Sequence, residues 1–155
     1  MKSFRSLPGF TLIEALATIL IVGILASVAV YSLSITRASN RDAKRVSDIS
    51  VLRASLTQYW LQKASYPETT AVDLGKPGVG ADKLADGGFV AKDAQSATTF
   101  LQSVPVGPSA GEYYRYHGSS QGYSLRFTTE RVTAYGAAGT WFAHTDGVDK
   151  LDTEK

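Results

Sequence analysis

Gly9-Phe10-Thr11-Leu12-Ile13-Glu14 opens an apolar run that continues to Tyr31, and Glu14 is the one charged residue between Phe10 and Tyr31. Coiled as an α-helix, residues 10–31 rise roughly 33 Å, enough for a hydrocarbon core of about 30 Å. A short basic leader, Met1 to Pro8 with Lys2 and Arg5, precedes the run. A carboxylate inside such a helix is costly, because hydrocarbon offers a charge no solvation. Glu14 stands one helical turn after Phe10, within reach of the interface, where its side chain can snorkel toward water.

Gly9 to Glu14 resembles the processing site of class III signal peptides, found in type IV pilins and type II secretion pseudopilins. Leu12, Ile13, Gly23, Ile24, Leu25 and Ala26 fit the same family's apolar helix pattern, and a looser resemblance runs on through Tyr59 to Tyr66-Pro67. The resemblance implies that a prepilin peptidase cuts between Gly9 and Phe10 on the cytoplasmic side, then methylates the new amino group of Phe10. It further implies that Phe10 and Glu14 serve filament assembly. The amine of one subunit and the carboxylate of its neighbour then neutralise each other and favour a fixed axial step. By the same resemblance the precursor sits in the cytoplasmic membrane, single-pass, with its N-terminus in the cytoplasm. An inner-membrane assembly platform draws it, with related minor pilins, into an extracellular or envelope-spanning filament. Many members have proline where this chain has Tyr31, so the bend found there lacks its usual cause.

Two other readings of the N-terminus compete. An ordinary secretory signal would use Lys2 and Arg5 as its basic end and Ser27-Val28-Ala29 as its cleavage site. A plain uncleaved anchor would be oriented by Lys2 and Arg5, against Arg37, Arg41, Lys44 and Arg45 on the other side. Neither accounts for Gly9-Phe10 and Glu14 together. A membrane-anchored or secreted binding module that does not polymerise is therefore the alternative function.

Composition bounds the rest. With 155 residues, one domain plus an anchor is expected, and the soluble part suffices for a modest core. Removing residues 1–9 takes Lys2 and Arg5 from the 16 basic residues and leaves them equal to the 14 acids. The basicity of the chain is thus partly a leader effect, and nucleic-acid binding gains no support from it, although DNA contact by a filament stays open. Without cysteine there is neither a disulfide nor a thiolate metal site.

Along the chain, residues 1–9 read as leader, 10–31 as the membrane-spanning and filament-core helix, and 32–64 as its amphipathic continuation. Val46, Ile49, Leu52, Leu56, Tyr59 and Trp60 recur at spacings of three and four, a stripe that faces a core. Arg37, Arg41, Lys44 and Arg45 read as a solvated face near headgroups or as an intersubunit surface, tempered by Asp42 and Asp48. A helix from Phe10 to about Lys63 would measure some 80 Å. Pro67 stops it. Residues 65–111, broken by glycines, read as a connecting loop with short helical turns at Asp82–Ala85 and Asp93–Leu101. Gly75 to Gly80 lacks the setting of a phosphate loop.

Residues 112–145 carry the β signal: Glu112 to His117, a hairpin loop at Gly118–Gly122, and the alternation of Tyr123, Leu125 and Phe127. Arg131–Tyr135 and Thr140–Ala143 offer further strands. The expected fold is α+β, with the second half of the long helix packed on a small antiparallel sheet of three or four strands. Residues 146–155 read as a polar tail.

No residue set points to an enzyme. His117 and His144 are the only histidines, and no HExxH or GxSxG motif occurs. Asp146, Asp149 and Asp152, at three-residue spacing, are candidate calcium ligands against the plainer reading of a frayed tail. Otherwise no cofactor is expected. Tyr113, Tyr114, Tyr116, Tyr123, Tyr135 and Trp141 suit a sheet core better than an adhesive patch, with Tyr113 or Tyr114 left exposed.

Overall fold

The structure, a computed structural model, describes residues 9–154. The leader Met1–Pro8 lies outside the described residues. The chain divides into two compact units, one up to Arg37 and one from Ala38 onward.

The first unit is the beginning of α1 (Leu12–Lys63). The helix starts at Leu12, two residues later than expected, because Thr11 forms its N-cap. Its apolar residues face outward on every side: Ile13, Ile19, Leu25 and Val30 are all more than half exposed. A helix that is apolar all round belongs in a core or a membrane, and this one is long and apolar enough to cross a membrane. Helical hydrogen bonding runs through Gly23 and Tyr31 without a break. Ser27 and Ser34 return their hydroxyls to the carbonyls of Ile24 and Tyr31, and Thr18 and Thr36 to those of Glu14 and Ser32. These four hydroxyls are thereby satisfied within the helix itself.

In the second unit, the rest of α1 buries Ile49, Leu52, Leu56 and Tyr59 as the spacing predicts. Val46 is half-buried, but Trp60 is 43% exposed and lies off the stripe. Toward the N-terminal end the same face buries Asp42, Arg45 and Asp48 instead. The helix ends on Ala64, which adopts φ 54° and donates its N–H to the Trp60 carbonyl at 2.7 Å. That is a left-handed C-cap without the usual glycine. Pro67 follows.

The expectation of a loop over 65–111 is corrected. This segment holds β1 (Thr69–Leu74), β2 (Lys83–Ala85), β3 (Gly88–Val90) and β4 (Thr99–Leu101). The helical turns expected at Asp82–Ala85 and Asp93–Leu101 are strands. β2 is flanked on both edges, by β3 and β4, in a three-stranded antiparallel sheet. Lys83, Leu84 and Ala85 are all buried, an arrangement that suits a central strand and not a turn of surface helix. Asp86-Gly87 is the two-residue turn into β3, with Gly88 at φ 95°.

The main sheet has five strands, one more than the upper expectation, in the order β1-β5-β6-β7-β8, all antiparallel. Its members are β5 (Tyr114–Gly118), β6 (Tyr123–Thr129), β7 (Gly139–Ala143) and β8 (Val148–Asp149), with β1 at one edge. The hairpin at Gly118–Gly122 forms as read, closed by the Ser119 N–H on the Gly122 carbonyl. Arg131–Tyr135 is not a strand. It is a turn pinned by a bridge between Thr133 and Gly136.

Tyr114, Tyr116, Tyr123, Leu125, Phe127 and Trp141 fill the core with the helix stripe. The tyrosine hydroxyls are not wasted: Tyr116 donates to the Pro67 carbonyl at 2.9 Å and Tyr123 to the His144 carbonyl at 3.2 Å. Gly118 has no room for a Cβ, which would strike the Tyr116 hydroxyl and the Pro67 carbonyl. The adhesive-patch reading of these aromatics fails, and the outward residue of the pair is Tyr113, itself half-buried.

Candidate functional site

At the start of α1 the sequence Thr11-Leu12-Ile13-Glu14 has the spacing of a capping box. Oε2 of Glu14 accepts from the Thr11 N–H at 2.9 Å and from the Thr11 hydroxyl at 2.8 Å. The Glu14 N–H returns a bond to the Thr11 hydroxyl at 3.3 Å. The carboxylate thus satisfies donors of the helix's first turn and sits at the positive end of its dipole. Phe10, Leu12 and Ile13 stand around it, each at least 71% exposed. A Cβ at Gly9 would meet nothing within 4 Å, so the bond between Gly9 and Phe10 lies on open backbone. Cleaving it would leave the Thr11 N–H in place and the capping box intact. Oε1 of Glu14 has no hydrogen-bond partner among the described residues, so half of the carboxylate is left to accept from a cation.

The charges further along α1 are paired within the chain. Arg45 is 3% exposed. Its guanidinium grips Glu112 with two bonds, Nε to Oε1 at 2.7 Å and Nη2 to Oε2 at 2.9 Å. Nη1 reaches Oδ1 of Asp42 at 2.7 Å and Oε1 of Glu130 at 2.8 Å. Arg41 pairs with the same Glu130. The buried Asp42 also accepts the backbone N–H groups of Glu130 and Arg131 at the end of β6. Lys44 and the Tyr114 hydroxyl share Oδ2 of Asp48. Arg41, Lys44 and Arg45 are therefore a clamp between helix and sheet, not a solvated face. The fork of Arg45 holds the Glu112 carboxyl below its usual range, and Arg41 with Arg45 holds Glu130 down to about 2. Glu112, then Glu130 and Asp42, hold the Arg45 proton more firmly still. Arg37 belongs to the other unit.

The three C-terminal acids are not brought together. Oδ1 of Asp149 faces Nε2 of His144 at 3.1 Å and accepts the Leu151 N–H at 2.7 Å. Asp152 accepts the Ser124 hydroxyl at 2.8 Å. Among the described residues no three His, Asp or Glu side chains form a group that could hold a metal ion. The polar tail is instead a short strand, β8, followed by a strap across the sheet, where Glu154 meets His117 at 2.8 Å.

Comparison with known proteins bears on the N-terminal segment. Residues 8–30 match the family described as the prokaryotic N-terminal methylation motif. The chain is similar to type II secretion system core protein G of Vibrio cholerae, 39% identical over 44% of this chain and 47% of the relative. It is similar to the protein of that name in Aeromonas hydrophila, 36% identical over 56% of this chain and 64% of the relative. The Escherichia coli protein is 41% identical over 44% of this chain and 48% of its own length. The chain thus spans about half the length of the curated relatives it matches. No solved structure matches it.

Proposed function

We infer that this chain, whose N-terminus is of the prepilin type shared by type IV pilins and type II secretion pseudopilins, is a structural subunit of a pilus or pseudopilus. A prepilin peptidase removes residues 1–9 and methylates Phe10. The processed subunit leaves the cytoplasmic membrane, where its N-terminus faced the cytoplasm, and joins a helical filament of like subunits through α1. The assembly platform and related minor pilins are its partners. The similarity to type II secretion core proteins favours the pseudopilus over the other filaments of this type.

The observation that carries the reading is Glu14. It is one charge in an apolar helix, held by Thr11 so that one oxygen stays open. Within hydrocarbon an ionised group needs a counter-charge. The new amine of Phe10 on a neighbouring subunit supplies it, and the match fixes the step between copies. Glu14→Ala removes the requirement and the register together. Expected are normal membrane insertion and loss of filaments. Filaments of normal yield from Glu14→Ala would favour the other reading, an anchored module that does not polymerise.

A further inference from the structure

On the outer face of the main sheet, Arg115 of β5 stands directly opposite Arg126 of β6. Both are exposed, and neither has an ion-pair partner among the described residues. Like charges facing each other across two strands are destabilising unless an anion sits between them. The pair separates two depressions. One, about 260 Å³, is bounded by Asp73, Tyr113 and Thr128, and the other, about 290 Å³, by His117, Ser124 and Asp152. The strap already shows what this face accepts, since Asp152 and Glu154 are seated on Ser124 and His117 beside the arginines.

A second patch of opposite sign lies at the far end of α1. Glu68 precedes β1 and Asp86 forms the β2–β3 turn. Tyr59, Glu68 and Gly87, the residue after Asp86, line one depression of about 290 Å³, so the two acids stand at the same end of the molecule. Glu68 is exposed, and neither acid has a cationic partner among the described residues.

We propose that the Arg115–Arg126 face takes the Glu68 and Asp86 carboxylates of a second copy of this chain. The inference rests on the filament reading above. Two observations favour this occupant over a nucleic acid. The processed chain has no net charge, so its attraction to itself comes from separated patches. Two guanidinium forks with Asp73 and Asp152 on either side make a short cationic site, which suits one or two carboxylates and not the continuous charge of a polyphosphate. Such a pairing would join one patch to a different patch, a heterologous contact of the kind that yields an open helical array and not a closed dimer.

The test uses the full chain in cells that assemble it, reading the yield of pelletable filaments against membrane-inserted subunit. Arg115→Glu with Arg126→Glu is expected to lower the yield about tenfold, the scale set by placing like charges in an interface. Glu68→Arg with Asp86→Arg should do the same, and all four changes in one chain should restore most of the filaments. Arg115→Gln with Arg126→Gln guards against misfolding, because its melting temperature should match the parent while its filament yield falls. Full assembly by the arginine variants, or no rescue in the fourfold variant, overturns the proposal. So does a glutamine variant that assembles normally but no longer retains a short DNA duplex, since DNA is then the occupant. Absence of filaments from the unaltered chain would bring down the filament reading and this inference with it. Normal parental filaments with indifferent arginine variants would bring down this inference alone.

Discussion

The Thr11 N–H and the Thr11 hydroxyl both end on one oxygen of Glu14, at 2.9 and 2.8 Å. The residue that makes the helix costly to insert is thus also the residue that closes its first turn. Thr11 orients the carboxylate before any partner arrives. Thr11→Val keeps the shape and the backbone donor but removes the hydroxyl. Cleavage after Gly9 should persist, while filament yield falls several-fold, though less than for Glu14→Ala. Pelletable filament per inserted subunit measures this.

Among the described residues Arg45 is the only cation that directly holds Glu112, and it shares Asp42 and Glu130 with other donors. Arg45→Met leaves three carboxylates around an apolar side chain. Breaking a buried pair from one side costs about 3–5 kcal/mol. The half-exposed Lys44 is expected to matter far less, with Lys44→Ala costing about 0.2–1 kcal/mol. Urea unfolding of the detergent-solubilised chain separates the two.

Acid should loosen the same clamp. Glu130 is held down to about 2, against an ordinary value of 4.5, and Glu112 is lowered too. Their carboxylates are more acidic folded than unfolded, so the unfolded chain takes up protons first as pH falls. Their contribution is complete above the ordinary value and is lost as pH drops toward about 2. Because Glu130 is partly exposed, the change is modest for that residue. Melting temperatures followed from neutral pH into that window should fall, and Glu130→Gln should flatten the decline.

Ala64 occupies a left-handed conformation, φ 54°, at the end of α1. A residue with a Cβ there costs roughly 1 kcal/mol relative to glycine. Ala64→Gly should therefore stabilise the protein by about that amount, offset in part by the greater freedom of glycine in the unfolded chain. A raised urea midpoint with unchanged slope is the expected result.

Sequence alone carried the long helix, its stop before Pro67, the Gly118–Gly122 hairpin and the inward set Tyr123, Leu125 and Phe127. Each of these has a local signature, whether an apolar run, a three-and-four spacing, a turn or an alternation. β1 to β4 had none. β2, β3 and β4 are three residues each, too short for an alternation to register, and β1 is defined by its pairing with β5, some forty residues on. The clamp was hidden for the same reason, because the acids that bury Arg45 lie 67 and 85 positions away. The tail read as frayed because its partners, Ser124 and His117, belong to strands that its own sequence does not announce. The capping box has a local signature of its own, Thr11 followed three residues later by Glu14.

The most direct test of processing after Gly9 is the intact mass and N-terminal sequence of the mature protein extracted from membranes. The expected product begins at Phe10 and carries one added methyl on its amine. A product that begins at Met1, or just after Ala29, would contradict the account. Glu14 would then be part of a plain anchor or of a discarded signal, and no filament would be built on it.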